Sequence, residues 1–242
     1  MAHFMTIDFA EGDQAALRDR VEAMARGPYG YVVTPNVDHV VKLMDGRVDR
    51  DLYQGAALKV CDSRILALLA RLKGLRLTVY PGSDLTRDLL EAATPDGLRF
   101  AVFGPDRIAF DDLKARYSRA RLGFIEASML KPGTPEWDAC VGEVAAAEWD
   151  VLLDCISFPK QEQFAAALKA SGRETGVALC VGASVDFLTG RQQRAPGWVQ
   201  RLSLEWLHRL IGQPRRMFRR YVIEGPAIFG WFIRTELLAP RP

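Results

Sequence analysis

The chain has 242 residues, 49% hydrophobic and 26% charged. That composition can bury a core, and it excludes a disordered, collagenous or coiled-coil protein. No apolar run approaches the roughly 20 residues that a spanning helix needs, and no basic stretch followed by an apolar one opens the chain, so a cytoplasmic protein is expected. Cys61, Cys140, Cys155 and Cys180 lie far apart with no Cys-x-x-Cys pair, and there are only three histidines, a pattern that argues against a zinc site or a disulfide framework. The net charge of +2 is unevenly spread: residues 191–242 hold ten arginines, no lysine and only Glu205, Glu224 and Glu236 as acids. The excess of positive charge at that end calls for an anionic partner.

In chain order, Leu17, Val21 and Met24 give helical spacing over residues 14–26, and the run Tyr31-Val32-Val33-Thr34 follows a Gly-Pro-Tyr-Gly turn as a strand. Asn36 can cap a helix bearing Val40, Leu43 and Met44, and Ser63 can cap one over residues 65–73 after a short strand at 58–61. Residues 75–80 read as a strand, Pro81-Gly82-Ser83-Asp84 as a turn into a helix, and 98–103 as a strand. A helix over 108–120, a strand over 122–125 and a helix after Thr134-Pro135-Glu136 come next. Then follow a buried strand at 151–156, a helix over 160–170 and a last strand at 177–181. Strands separated by helices in this way predict a three-layer α/β core, a mostly parallel sheet with helices on both faces. After Gly190 the β signal stops, so residues 1–190 are expected to form the core and 191–242 a basic, helical C-terminal appendage.

Ligands of such sheets bind at the carboxyl ends of the strands, which puts Thr34, Asn36, Asp62, Gly82, Asp84, Gly104, Ser157 and Gln161 on one rim. Neither Gly-x-Gly-x-x-Gly nor the phosphate-binding Gly-x-x-x-x-Gly-Lys-Ser/Thr loop occurs, and Gly-x-Ser-x-Gly and His-Glu-x-x-His are absent. Asp49-Arg50-Asp51 is either a carboxylate pair for a divalent ion or an exposed helix start. In Thr34-Pro35-Asn36-Val37-Asp38-His39, strand gives way to helix, so Asn36 either faces a cleft or only caps the helix. Asp62 ends a strand, as a proton acceptor at the rim or as a capping residue. Lys160 and Gln161, in a first helical turn, suit phosphate or sugar hydroxyls, or merely start a surface helix. In the appendage, Trp198, Leu202, Trp206 and Leu210 recur at helical spacing among Arg194, Arg201 and Arg209; Arg215, Arg216, Arg219 and Arg220 follow, beside Met217, Phe218 and Tyr221. Apolar anchors with arginines suit the surface of an anionic membrane, and the same stripe could pack on the core. Arginine also grips phosphates in bidentate fashion.

Together these fragments resemble the WecG/TagA/CpsF glycosyltransferases. The resemblance rests on Thr34-Pro35-Asn36-Val37-Asp38-His39, Asp62, Gly82-Ser83-Asp84-Leu85, Pro159-Lys160-Gln161-Glu162, the stretch from Val181 to Gly190, and Arg194-Ala195-Pro196 through Leu204-Glu205-Trp206-Leu207-His208-Arg209-Leu210 to Pro214-Arg215-Arg216. It implies that the α/β core is Rossmann-like and that the protein is an inverting transferase, moving a sugar from a UDP-sugar to a polyprenyl-diphosphate-linked sugar during bacterial surface polysaccharide assembly. Such an enzyme works as a peripheral protein on the inner face of the cell membrane. By that likeness Asp62 is the catalytic base, Thr34 and Asn36 stand near the reacting sugar, and Asp84, Lys160, Gln161, Arg194, Arg209, Arg216, Arg219 and Arg220 bind substrate. Where the family has glycines after the aspartate, this chain has Ser63, Arg64 and Ile65. Arginines facing the diphosphate make metal-independent transfer the expectation, with no cofactor. The expected partners are the UDP-sugar, the lipid-linked acceptor and the membrane surface, with a homo-oligomer left open. A degenerate transferase serving as a scaffold, or a nucleic-acid-binding protein using the basic helices, is the rival reading.

Overall fold

A computed structural model describes residues 1–127 and 131–238 of the chain; the side chains of Gln200, Arg201 and Arg216 lie outside the described set. Residues 2–9 form an antiparallel hairpin, β1 (Ala2–Phe4) with β2 (Ile7–Phe9). Six further strands make one sheet: β3 (Gly30–Val33), β4 (Leu58–Lys59), β5 (Arg99–Phe103), β6 (Arg121–Ile125), β7 (Val151–Asp154) and β8 (Val177–Cys180). Their order is β4-β3-β8-β7-β5-β6, and every neighbouring pair is parallel.

Helices α1 (Gln14–Ala25), α2 (Val37–Met44), α3 (Asp51–Gln54), α4 (Arg64–Leu72), α5 (Gly82–Glu91), α6 (Arg107–Arg116), α7 (Pro135–Ala146), α8 (Lys160–Ala170) and α9 (Ser184–Leu188) provide the crossovers and cover the sheet. Successive strand residues point to opposite faces, and the burial follows that alternation. Tyr31, Val33, Ala101, Phe103, Leu152, Ala178 and Cys180 pack with α2, α4, α7 and α8 on one side. Val32, Phe100, Val102, Val151, Leu153, Val177 and Leu179 pack with α1, α5, α6 and α9 on the other. Strands buried on both faces explain why the sequence shows unbroken apolar runs rather than apolar–polar alternation.

The helix starts follow local chemistry. Asn36 Oδ1 accepts hydrogen bonds from the backbone N–H groups of Asp38 (3.1 Å) and His39 (3.4 Å), and Ser63 Oγ accepts one from Leu66 (3.2 Å). Both satisfy donors that a helix leaves orphaned in its first turn. Residues 75–80 differ from the expected strand. Only Val79 makes a β-bridge, to Cys61; the Leu75 N–H donates back to the Ala70 carbonyl of α4 (3.0 Å), and two further groups are engaged by residues around the start of α1. The Val79 carbonyl accepts from Gln14 Nε2 (2.8 Å), and Thr78 Oγ1 donates to the Gly12 carbonyl.

Among the described residues the elements beyond residue 190 are helical: α10 (Gly197–Arg201), α11 (Glu205–Gly212), α12 (Pro214–Phe218), a π-helical turn at Arg219–Glu224, α13 (Ala227–Phe232) and a second π-helical turn at Ile233–Leu237. Helix α13 is built into the core: Ile228 and Phe232 are buried in the same cluster as the hairpin and α2. Phe232 packs on Phe4, with ring centroids 6.1 Å apart; the Met5 backbone N–H donates to Glu236 Oε1 (2.9 Å), and Trp231 Nε1 donates to Asp45 Oδ1 (2.9 Å). Full burial of side chains this size is worth about 1.5–3 kcal/mol each, so the contact is a substantial clamp. Phe232→Ala is therefore expected to cost about 3 kcal/mol locally. Hydrogen exchange will show the effect as lost protection in residues 2–9 and 227–237, with the sheet still protected.

Candidate active site

The carboxyl ends of β3, β4, β7 and β8 open into two clefts. The larger, about 620 Å³, is mostly polar; Thr34, Asn36, Asp62, Gln161, Gly182, Arg194, Arg209, Arg219 and Arg220 are on its walls. The smaller, about 280 Å³, is mostly apolar and is walled by Ile65, Trp206, Tyr221, Ile228 and Phe229, with Arg64 and Ser203. Asn36, Asp38, Asp62, Glu205, Arg209 and Arg220 line both, so the two clefts meet at Asp62.

Asp62 is fixed by its backbone, whose N–H donates to the Pro35 carbonyl (3.0 Å) and so ties the β4 end to the β3 end. Among the described residues its carboxylate accepts no hydrogen bond. Burial pushes its pKa up to about 7, against the attraction of Arg209; Glu205 adds to the rise, and Arg194 and Arg220 oppose it. Of the two readings of Asp62, the helix cap belongs instead to Ser63. Asn36 does both things read for it: it caps α2, lines both clefts and accepts a hydrogen bond from Arg220 Nη2 (3.3 Å). Thr34 is buried on the cleft floor, its hydroxyl donating to the Cys180 carbonyl (3.0 Å).

Below the floor lies a buried polar network. The Gln161 amide is held at both ends: Oε1 accepts from the Gly182 N–H (2.9 Å) and Nε2 donates to Glu162 Oε1 (2.8 Å). Tyr53 Oη is 2.8 Å from His39 Nδ1 and donates to Glu162 at 3.4 Å. Burial pushes the Glu162 carboxyl up to about 7, and burial with Arg220 and Lys42 nearby holds His39 well below the usual imidazole range, hence neutral. The His39 ring stacks on Phe158 at 3.9 Å, which fixes one cleft wall. Gln161 thus shapes the site through α8 and the β8–α9 loop.

The appendage delivers the cations. The Asp84 carboxylate takes Arg194 Nη2 (2.8 Å), a second bond from Arg194 Nη1, and Arg87 Nη1 (2.7 Å). Burial alone would push Asp84 up, but these arginines hold its carboxyl below the usual range. Asp84 therefore anchors Arg194, which lines the polar cleft, while Asp84 and Lys160 line neither cleft. Arg220 lies 3.4 Å from Asp38 Oδ2, Arg209 sits over the Phe187 ring at 4.8 Å, and Arg219 pairs with Glu224 at 3.1 Å. Arg219, Arg220 and Tyr221 come from the first π-helical turn; such widened turns often mark functional positions. The side chain of Arg216 lies outside the described residues. Asp49 and Asp51 are exposed, away from both clefts, with Asp49 Oδ1 capping the Asp51 N–H (2.9 Å). Among the described residues no group of three or more His, Cys, Asp and Glu side chains gathers to hold a metal ion.

Three participants were not read from the sequence as site residues: Glu205, the buried His39–Tyr53–Glu162 set, and the apolar cleft. Glu205 stood inside a matched stretch, yet only docking of the appendage brings it to Asp62.

The raised Asp62 pKa carries a stability signature. The folded protein keeps this proton up to about pH 7, whereas the unfolded chain releases it near 3.8, so this group's contribution to stability is complete below pH 4 and is lost as pH rises through 7. Asp62→Asn is expected to melt like the native protein at pH 4 and at higher temperature at pH 8, measured by calorimetry.

The sequence profile of the WecG/TagA/CpsF glycosyl transferase family matches residues 2–241, nearly the whole chain, and the chain belongs to that family.

Proposed function

We propose that this member of the WecG/TagA/CpsF glycosyltransferases moves a sugar from a UDP-sugar to a polyprenyl-diphosphate-linked sugar, with inversion, at the inner face of the cell membrane. The observation that carries this reading is the meeting of the polar and apolar clefts at an unbonded carboxylate, Asp62. A nucleotide sugar is polar throughout and anionic at its diphosphate, which suits the larger cleft with Arg194, Arg209, Arg219 and Arg220 on its walls. A lipid-linked acceptor joins phosphates to a hydrocarbon chain, and the smaller cleft pairs Arg209 and Arg220 with Trp206, Tyr221 and Phe229.

The reaction follows from this arrangement. Asp62 takes the proton of an acceptor hydroxyl as its oxygen attacks C1 of the donor sugar. The C1–O bond to UDP breaks on the opposite face, and its electron pair stays with the diphosphate, so the anomeric centre inverts. Arginines placed beforehand around the leaving group stabilise the growing negative charge at no reorganisation cost, so we read the transfer as metal-independent. With a base whose pKa is near 7, the rate should rise with pH through that value.

No helix among the described residues is long and apolar enough to cross a membrane. Phe218, Val222, Ile223, Phe229, Ile233 and Leu237 are exposed on the segment that also bears Arg215, Arg219 and Arg234. Apolar side chains among cations suit an interfacial anchor, to which each basic residue adds about 1 kcal/mol on an anionic surface. We therefore assign residues 191–242 the double task of docking on the membrane and completing the site.

Transfer from UDP-sugars to a short-chain prenyl-diphosphate-sugar tests the reading. Asp62→Asn should lower kcat about 10²- to 10⁴-fold, the usual worth of a general base. Product NMR should show the opposite anomeric configuration to the donor, and activity should survive excess chelator. Retention of configuration, or a fully active Asp62→Asn, would overturn it. Binding to vesicles containing phosphatidylglycerol should weaken as salt rises and should fall in an Ile223→Asp/Phe229→Asp double variant.

A further inference from the structure

Glu205 is an anion where the ligand is expected to be anionic. It begins α11, lines both clefts together with Asp62, and faces a site whose other appendage side chains are mainly cationic and aromatic. Arg209 stands one turn further along the same helix, a spacing at which opposite charges commonly pair. Among the described residues, however, no ion pair or hydrogen bond engages the Glu205 carboxylate. Arg194 and Arg220 are partly committed to Asp84 and Asp38, and Arg209 lies over the Phe187 ring, so Glu205 is left unbonded. A carboxylate only accepts hydrogen bonds and repels phosphate. Half-buried beside Asp62, it is suited to a ligand group that is neutral and donates: a sugar hydroxyl.

We propose that Glu205 binds a hydroxyl of the acceptor sugar and so sets which neighbouring hydroxyl faces Asp62, making acceptor choice a property of the appendage. The inference rests on the transferase reading and adds to it the part that recognises the acceptor. Asp62 still takes the proton; Glu205 accepts a hydrogen bond and is unchanged by the reaction. The division of labour is spatial: arginines from α11, the π-helical turn and the linker hold phosphates, and one carboxylate on the same scaffold holds the sugar between them.

Kinetics of the full-length protein with a UDP-sugar donor and a prenyl-diphosphate-sugar acceptor provide the test. Glu205→Ala should raise the acceptor KM about 10- to 100-fold, the loss expected for one hydrogen bond to a charged group, with the donor KM within twofold of the native value. Glu205→Asp should recover part of the loss. Glu205→Gln should also move the acid limb of the kcat/KM profile to lower pH, because the negative charge beside Asp62 is gone. Arg209 on the same helix, Arg220, Arg194, Arg64 on α4 and Asp38 on α2 remain to set the new value. A side chain that only supported the fold would lower the melting temperature and leave the acceptor KM in place. An active Glu205→Ala with native acceptor KM would overturn the role of Glu205 and leave the transferase reading standing. A native protein that transfers no sugar from any UDP-sugar would overturn both.

Discussion

The site depends on one packing contact, the insertion of Ile228 and Phe232 into the core cluster shared by the hairpin and α2. The strand ends supply Asp62, Thr34 and Asn36, but Arg209, Arg219, Arg220, Glu205 and most of the apolar wall come from the segment to which this contact belongs. Two hydrogen bonds reinforce it, from the Met5 backbone to Glu236 and from Trp231 to Asp45. Because a cleft wall gains its electrostatic strength by excluding water, the position of α13 also bears on how far the Asp62 proton affinity is raised.

Much of the fold could be read from the sequence because it is encoded locally. Apolar runs of four to six residues between helical stretches leave little choice but a covered parallel sheet, and Asn36 and Ser63 mark their helix starts by chemistry confined to three residues. The hairpin of residues 2–9 escaped because each strand is three residues long, too short for a period to show. Residues 75–80 had strand composition without a strand's neighbour: beyond the two-residue β4 the sheet edge offers a single bridge at Cys61.

The site was legible only in part for the same reason. Asp62 and Asn36 follow from their places at strand ends, which sequence order supplies. The pairing of Asp84 with Arg194 spans 110 positions, and nothing local distinguishes an aspartate that awaits a ligand from one that holds an arginine. The His39–Tyr53–Glu162 network joins three helices, and its members resemble ordinary surface polar residues until the fold buries them. The three residues after Asp62 show the converse. Ser63, Arg64 and Ile65 all line the smaller cleft, Ser63 also as a helix cap and Ile65 in the apolar wall.

The partnership of residues 2–9 with residues 227–237 bears on how the protein comes into being. Phe4 and Phe232 are separated by a span that includes every strand of the sheet, so the surroundings of Phe4 are complete only once that span has been made. Since nascent chains organise from the amino-terminal side, the sheet can assemble while the arginine-bearing appendage is still being translated. Asp62 would then lack the cleft walls that the appendage supplies until residues 227–237 have been made.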